Sequence, residues 1–239
     1  MPADMERAAG RAALPLEELA EVFGKAAREM VPDADVDKTV ARIVSVAATT
    51  VPGTEHAGVS LLESGRIRSV APSSELVSRL DQLQHELGEG PCVDAVLEDP
   101  VYRTGDLSTD SRWPRFAPAA AARGMRSLLG VRLFTTRSTV GSLNLYSGVP
   151  DAFDTESVHL AELFAAHAAL ALTGSQKQAQ LKSALDSRDI IATAKGMLME
   201  RYGIGGEQAF NLLVRISQEQ NTKLREIAER LIQAHTPRA

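Results

Sequence analysis

The sequence predicts an α+β chain in which an antiparallel sheet with helices is joined by a long, partly coiled-coil helix to a small three-helix all-α domain. Three observations carry that class. Ten of the eleven prolines lie between Pro2 and Pro150 and the next is Pro237, so the chain changes character at Pro150. Before Pro150, short alternating runs bounded by glycines have the period of strands. After it, helix-compatible residues continue with only Gly174 and Gly196 in their way. With 239 residues, of which 44% are apolar, the chain can fill at least one core, which excludes disorder of the whole.

The elements follow in order. Residues 1–13 interleave Asp4, Glu6, Arg7 and Arg11 without an apolar run, and read as a flexible arm rather than a secretory signal. Leu16, Leu19, Ala20 and Phe23 share one face of a first helix, and Val36, Val40, Ile43, Val44 and Ala47 one face of a second. The runs His56–Glu63, Ile67–Ala71, Ser127–Phe134 and Val140–Ser147 read as strands set off by Gly53, Gly65, Gly124 and Gly148. The last two flank Thr135–Thr139 as a hairpin.

Asp154-Thr-Glu-Ser then offers a capping carboxylate and an acidic first turn to a helix over 154–201. Unbroken, those 48 residues span about 70 Å, more than one globular core can cover. Leu160, Leu163, Leu170, Leu181 and Ala184 keep a three-four spacing, while His167, Gly174 and Lys177 interrupt the seam. The pattern predicts a short, imperfect coiled coil that dimerises; the alternative is a helical hairpin breaking at Thr173-Gly174-Ser175. Downstream, Tyr202–Gly206 is a glycine-rich stop and Glu207–Gln218 a helix. Asn221-Thr222 is expected to cap a last helix over Lys223–Ala234. Ala209, Phe210, Leu212, Leu213 and Ile216, with Leu224, Ile227, Ala228 and Leu231, are the expected core faces of these two helices.

Charge divides the chain more sharply than its average suggests. Up to Gln176 there are 16 basic and 24 acidic residues, net −8; beyond it there are 10 basic and 7 acidic, net +3. An acidic body with a basic tail piece invites a polyanion to the tail. Cys92 is the only cysteine, which excludes an intrachain disulfide and fits a reducing cytoplasm. No metal-ligand spacing is present, and no cofactor is evident. The apolar stretch Leu163–Thr173 is about half the length a membrane span needs, so no membrane partner is expected.

The sequence lacks GxSxG, HExxH, GxxxxGK[ST] and a dinucleotide fingerprint, so no catalytic residues are assigned and the chain is not expected to be an enzyme. Cys92 has no Lys, Arg or His within five residues to favour a thiolate. A distinctive series begins at that cysteine: Leu87-Gly-Glu-Gly-Pro-Cys-Val-Asp-Ala, Asp106-Leu, Asp110-Ser-Arg-Trp-Pro, Gly124-Met-Arg-Ser and Gly141-Ser-Leu-Asn-Leu-Tyr-Ser. In these motifs residues 14–173 resemble the GAF domain family of bacterial signalling proteins. The resemblance implies a sensor domain with a central antiparallel sheet and room for a small-molecule ligand above it. Cys92, Arg112 and Trp113 are the candidate pocket residues. Arg112 and Trp113 equally suit a packed indole with an arginine bridging to Asp106 or Asp110.

The tail carries Ala184-Leu-Asp-Ser-Arg-Asp-Ile-Ile, Ala194-Lys-Gly-Met-Leu-Met-Glu-Arg-Tyr-Gly, Glu207-Gln-Ala-Phe-Asn-Leu-Leu and Asn221-Thr-Lys-Leu-Arg-Glu-Ile-Ala-Glu. Here the segment 177–239 closely resembles the ANTAR family. That resemblance implies a transcription antiterminator that binds nascent RNA as a dimer at tandem stem-loops with hexaloops, preventing a terminator hairpin. Arg188, Ala194, Lys195, Gly196, Met199, Arg215, Thr222, Lys223 and Arg225 are the candidate RNA-binding residues. Arg188 and Lys195, seven apart, share a helix face with Met199 one turn on. Gly196 sits in mid-helix, where a close approach by RNA or by another helix explains it. Thr222 either caps its helix or, with Lys223 and Arg225, holds a phosphate. A ligand-sensing regulator whose helical tail binds duplex DNA is the alternative, since positive charge alone serves either polymer. A Cys92-dependent sulfoxide reductase of this fold would need further cysteines.

Overall fold

The computed structural model describes residues 16–63, 65–97, 99–136 and 138–235. The arm expected over 1–13 lies outside them. Contacts divide the chain into two compact units, residues 1–176 and 177–239.

The first unit is built on five strands, β1 (His56–Glu63), β2 (Arg66–Val70), β3 (Val101–Thr104), β4 (Ser127–Phe134) and β5 (Thr139–Ser147), in the order β2-β1-β5-β4-β3 with every neighbour antiparallel. The expected hairpin is β4–β5. Strand β3, whose four residues are too few to show a period, was not legible in the sequence. Helices α1 (Leu16–Glu29) and α2 (Val36–Thr50) precede the sheet, and α3 (Glu75–Leu87), α4 (Pro91–Leu97) and α5 (Phe116–Ala121) are inserted within it. Asp35 caps α2 by accepting from the Asp37 and Lys38 amides, and Ser74 caps α3 by accepting from the Val77 amide.

Because successive strand side chains point to opposite faces, the sheet has two different surfaces. One bears Val59, Leu61, Leu129, Val131, Leu143 and Leu145, and packs against Val40, Ile43 and Ala47 of α2. Leu160, Phe164, Ala168 and Leu172 of α6 (Thr155–Tyr202) join that core. The other face is polar at its centre: Gly58, Asn144 and Gly130 lie opposite one another across three strands, with Ser60 and Ser142 in the next row. Its apolar rim, Leu128 and Tyr146, packs with Val77, Leu80, Trp113 and Phe116 beneath α3 and α5.

Helix α6 is 48 residues long and continuous. Asp154 caps it as expected, accepting from the Ser157 amide at 2.8 Å. It does not break at Gly174, so the hairpin alternative is set aside. A Cβ at Gly174 would lie 3.1 Å from Cγ of Pro32, so this glycine admits a close neighbour rather than ending the helix. His167 Nε2 lies 3.3 Å from the Ala27 carbonyl, which accounts for the interrupted seam at that position.

In the second unit, the end of α6 packs with α7 (Gly206–Glu219) and α8 (Leu224–His235). The core is Ala194, Leu198, Ala209, Leu213, Ile227 and Ala228. Gly203, with φ 63°, turns the chain out of α6, its amide bonding to the Met199 carbonyl at 3.0 Å. No described helix is long and apolar enough to cross a membrane.

Candidate nucleic-acid interface

The 3.6-residue repeat brings Arg188, Lys195 and Met199 to one face of α6, where Arg188 is exposed and Met199 is 37% exposed. Among the described residues, no carboxylate lies within ion-pair distance of Arg188, Lys195 or Lys223. Arg215 lies 3.9 Å from Glu219 with both side chains largely in solvent, a contact of little energetic weight. Arg225 is engaged: its Nε donates to Glu229 Oε1 at 2.8 Å and its Nη1 to Ser187 Oγ at 3.4 Å. Donating that hydrogen bond to the Glu229 carboxylate also holds its guanidinium pKa above the usual value.

Gly196 is exposed, and among the described residues, the adjoining turns of its own helix backbone aside, nothing comes within 4 Å of where its Cβ would stand. Intramolecular packing therefore does not explain this glycine, in contrast to Gly174. Ten residues on, a Cβ at Gly206 would lie 3.5 Å from Met199 Sδ and 3.6 Å from Lys195 Nζ. The lysine ammonium thus reaches the first turn of α7. Gly205, which precedes that turn, has no side chain to cap it, and Gln208 Oε1 instead accepts from the Gly205 amide at 3.1 Å.

Three expectations need correction. Ala194 is fully buried in the three-helix core, so its methyl is a packing group and not a contact for RNA. Thr222 does not cap α8: its hydroxyl donates backward to the Gln220 carbonyl at 3.1 Å, while Ser217 Oγ donates to the Thr222 carbonyl at 2.5 Å. Asn221, at φ 47°, makes the turn. Phe210, expected in the core, is 41% exposed and is not among the residues packed against it.

In the first unit the structure brings Cys92 into a buried polar network instead of an open pocket. Its Sγ accepts from Gln84 Nε2 at 2.9 Å and sits 3.5 Å from Tyr146 Oη and 3.7 Å from Asp81 Oδ1. Tyr146 Oη donates to Asp81 Oδ1 at 2.9 Å, and Ser69 Oγ bonds the other carboxylate oxygen. Burial pushes the Cys92 thiol well above its ordinary pKa, with the Asp81 charge adding to the shift, so the thiolate is disfavoured. Burial also raises the Asp81 carboxyl, against the opposing hydrogen bonds from Ser69 and Tyr146. Nearby, Ser142 Oγ and Asn144 Oδ1 are buried without a hydrogen-bond partner.

Trp113 is buried and donates to Asp94 Oδ2 at 2.6 Å. Arg112 lies over its ring at 4.5 Å and forks onto Asp110 at 3.0 and 2.6 Å, the packed arrangement weighed in the sequence. Asp106 instead pairs with Arg126, whose hydrogen bonds hold its carboxyl far below the usual range. Asp81, Gln84 and Tyr146 were missed in the sequence. The available signal was spacing: Asp81 and Gln84 fall with Val77 and Leu80 on the buried stripe of α3, where a polar residue needs an internal partner. Among the described residues, no group of three His, Cys, Asp or Glu could hold a metal ion.

A sequence profile of the GAF domain matches residues 33–173, and one of the ANTAR domain matches residues 179–232. No curated protein matches the chain. Among solved structures, a free methionine-R-sulfoxide reductase from Neisseria meningitidis is similar at TM-score 0.52 and 16% identity, over 70% of this chain and 95% of that one. The photosensory core of a phytochrome from Stigmatella aurantiaca reaches TM-score 0.55 at 10% identity, over 80% of this chain and 43% of that one. A bacteriophytochrome from R. palustris reaches the same score at 13% identity, with the same coverage. At these identities the likeness is one of fold.

Proposed function

The chain belongs to the GAF domain family and carries an ANTAR domain after it, the make-up of an RNA-binding antitermination regulator, and from that premise we propose that it captures paired hexaloop stem-loops in nascent RNA as a homodimer. Both domains are regulatory rather than enzymatic.

The observation that carries this reading is the pair Lys195–Gly196. Lys195 has no described carboxylate partner, and the adjoining backbone is bare of any side chain the fold would obstruct. A cation beside the N-terminus of α7 is disfavoured by the helix dipole, and a phosphate between the two satisfies both. Arg188, Arg215 and Lys223 are the further cations proposed to meet phosphates. Arg225, held by Glu229, shapes α8 more than it attracts RNA.

Dimerisation is supported by leucines that α6 leaves uncovered. Leu163 and Leu170 are 47% and 63% exposed, and Leu181 and Leu185 are 57% and 62% exposed. A second copy burying them would place two heads in one particle. Linked heads convert the second loop contact into an intramolecular event, so two weak contacts add into useful affinity. The GAF domain is proposed to take a small-molecule ligand. In the conformation described, a ligand reaching Cys92 and Trp113 must displace the hydrogen bonds from Gln84 and to Asp94.

The test is titration of the full chain with a tandem hexaloop RNA, a single-loop RNA and a duplex DNA at one salt concentration, with mass followed by light scattering. Tight binding that needs both loops and holds two chains is the expected result, and Lys195→Ala should weaken it. Equal, weak binding to all three ligands would refute loop recognition.

A further inference from the structure

We infer that Phe210 is a stacking platform for one unpaired base of an RNA loop, one helical turn from where Met199 and Lys195 meet α7; this rests on the RNA-binding reading above. Phe210 breaks the economy of its helix. Ala209 and Leu213 turn into the core, whereas Phe210 keeps 41% of its surface in solvent and makes no described ring contact. Gly206 is one turn before it and on the same face of α7. At Gly206, α7 meets Met199 Sδ and Lys195 Nζ, each within 4 Å of a Cβ built there. The ring therefore stands one turn along the strip where the unpaired ammonium and the thioether come to the surface. Tyr202 is seven residues beyond Lys195, on the same face of α6, and is 59% exposed.

Charge selects the occupant. An exposed ring could be covered by a second copy of the chain, but a second copy brings the ring no opposite charge for the Lys195 ammonium near it. An unstacked loop base brings a flat apolar face flanked by phosphates, which matches a ring one helical turn from a cation. A base inside a duplex has both faces occupied by its neighbours and offers no such partner. The platform would therefore favour loops over duplexes, a preference that charge alone does not provide.

The experiment compares the full-length wild type, Phe210→Leu, Phe210→Trp and Lys195→Ala against the tandem hexaloop RNA. Leucine keeps the apolar bulk and removes the flat ring, so Phe210→Leu should bind about tenfold more weakly, the worth of one base–aromatic stack. Phe210→Trp should bind within a few fold of wild type, and its added emission should be quenched by RNA, while the buried Trp113 of the wild type changes little. Thermal unfolding of Phe210→Leu should match wild type. If Phe210→Leu binds as wild type does, under conditions where Lys195→Ala loses affinity, stacking is overturned and RNA binding stands. If Phe210→Leu lowers the RNA-free mass, the ring belongs to a contact between copies and the inference falls. A wild type that ignores the RNA overturns the underlying reading with it.

Discussion

Replacing Gly196 with alanine should stabilise the C-terminal unit and weaken its RNA binding at once. Gly196 lies inside α6, its φ is not in the left-handed region, and an added methyl meets nothing within 4 Å. The substitution therefore carries no steric cost within the chain. What remains is the difference in helix propensity, about 1 kcal/mol in favour of alanine, which acts largely by restricting the unfolded chain. Amide hydrogen exchange on the full-length protein, read by mass spectrometry in α7 and α8, reports the opening of that unit alone. A gain of about 1 kcal/mol slows exchange through cooperative opening roughly fivefold. RNA affinity measured on the same sample should fall, because the methyl stands where a phosphate or sugar would approach the backbone. Exchange that is unchanged or faster would refute the open environment at Gly196 and point to another chain already packed there. A stabilised variant that binds RNA like wild type would refute close approach of RNA to this turn.

Two further outcomes follow from the buried network beneath α3. Asp81 has a folded-state pKa raised by burial above its ordinary 3.8, so the folded domain holds this proton more tightly than the unfolded chain does. Its contribution to stability is fully present at acid pH and is lost as pH rises through the raised value; urea midpoints of wild type should decline over that window relative to Asp81→Asn, and parallel profiles would contradict the assignment. Cys92, fully enclosed with its thiol pKa pushed up, should react with an aromatic disulfide reagent only as fast as the domain opens. Rapid stoichiometric labelling of the native protein at neutral pH would show that the cysteine is accessible.

What the sequence determined was whatever depends on local period and punctuation. Alternation marked β1, β2, β4 and β5, the proline distribution marked where the mixed region gives way to helices alone, and Asp154 announced the start of α6. Gly203 and the polar turn at Asn221 fixed where the three tail helices divide. The seven-residue spacing of Arg188 and Lys195 placed both on one face before any packing was considered.

Tertiary structure decided which groups on a face remain available. Phe210 lies 100° around α7 from Ala209, at the margin of an apolar stripe. Whether a margin residue is covered depends on where the two other helices sit, and they cover Leu212 and Ile216 but leave the ring out. The same holds for the two glycines of α6. Gly174 offered a break and Gly196 a close approach along the chain, yet it is Gly174 that faces Pro32 while Gly196 faces no described residue beyond its own helix, because a missing Cβ acquires meaning only from what stands opposite it. Cys92, Arg112 and Trp113 stood out along the chain as candidate pocket residues, but the carboxylates and amide that occupy their polar atoms come from Asp81, Gln84, Asp94 and Asp110. Buried polar groups must find partners wherever the fold supplies them, and for Cys92 and Trp113 the supply came from other helices, which no local spacing records.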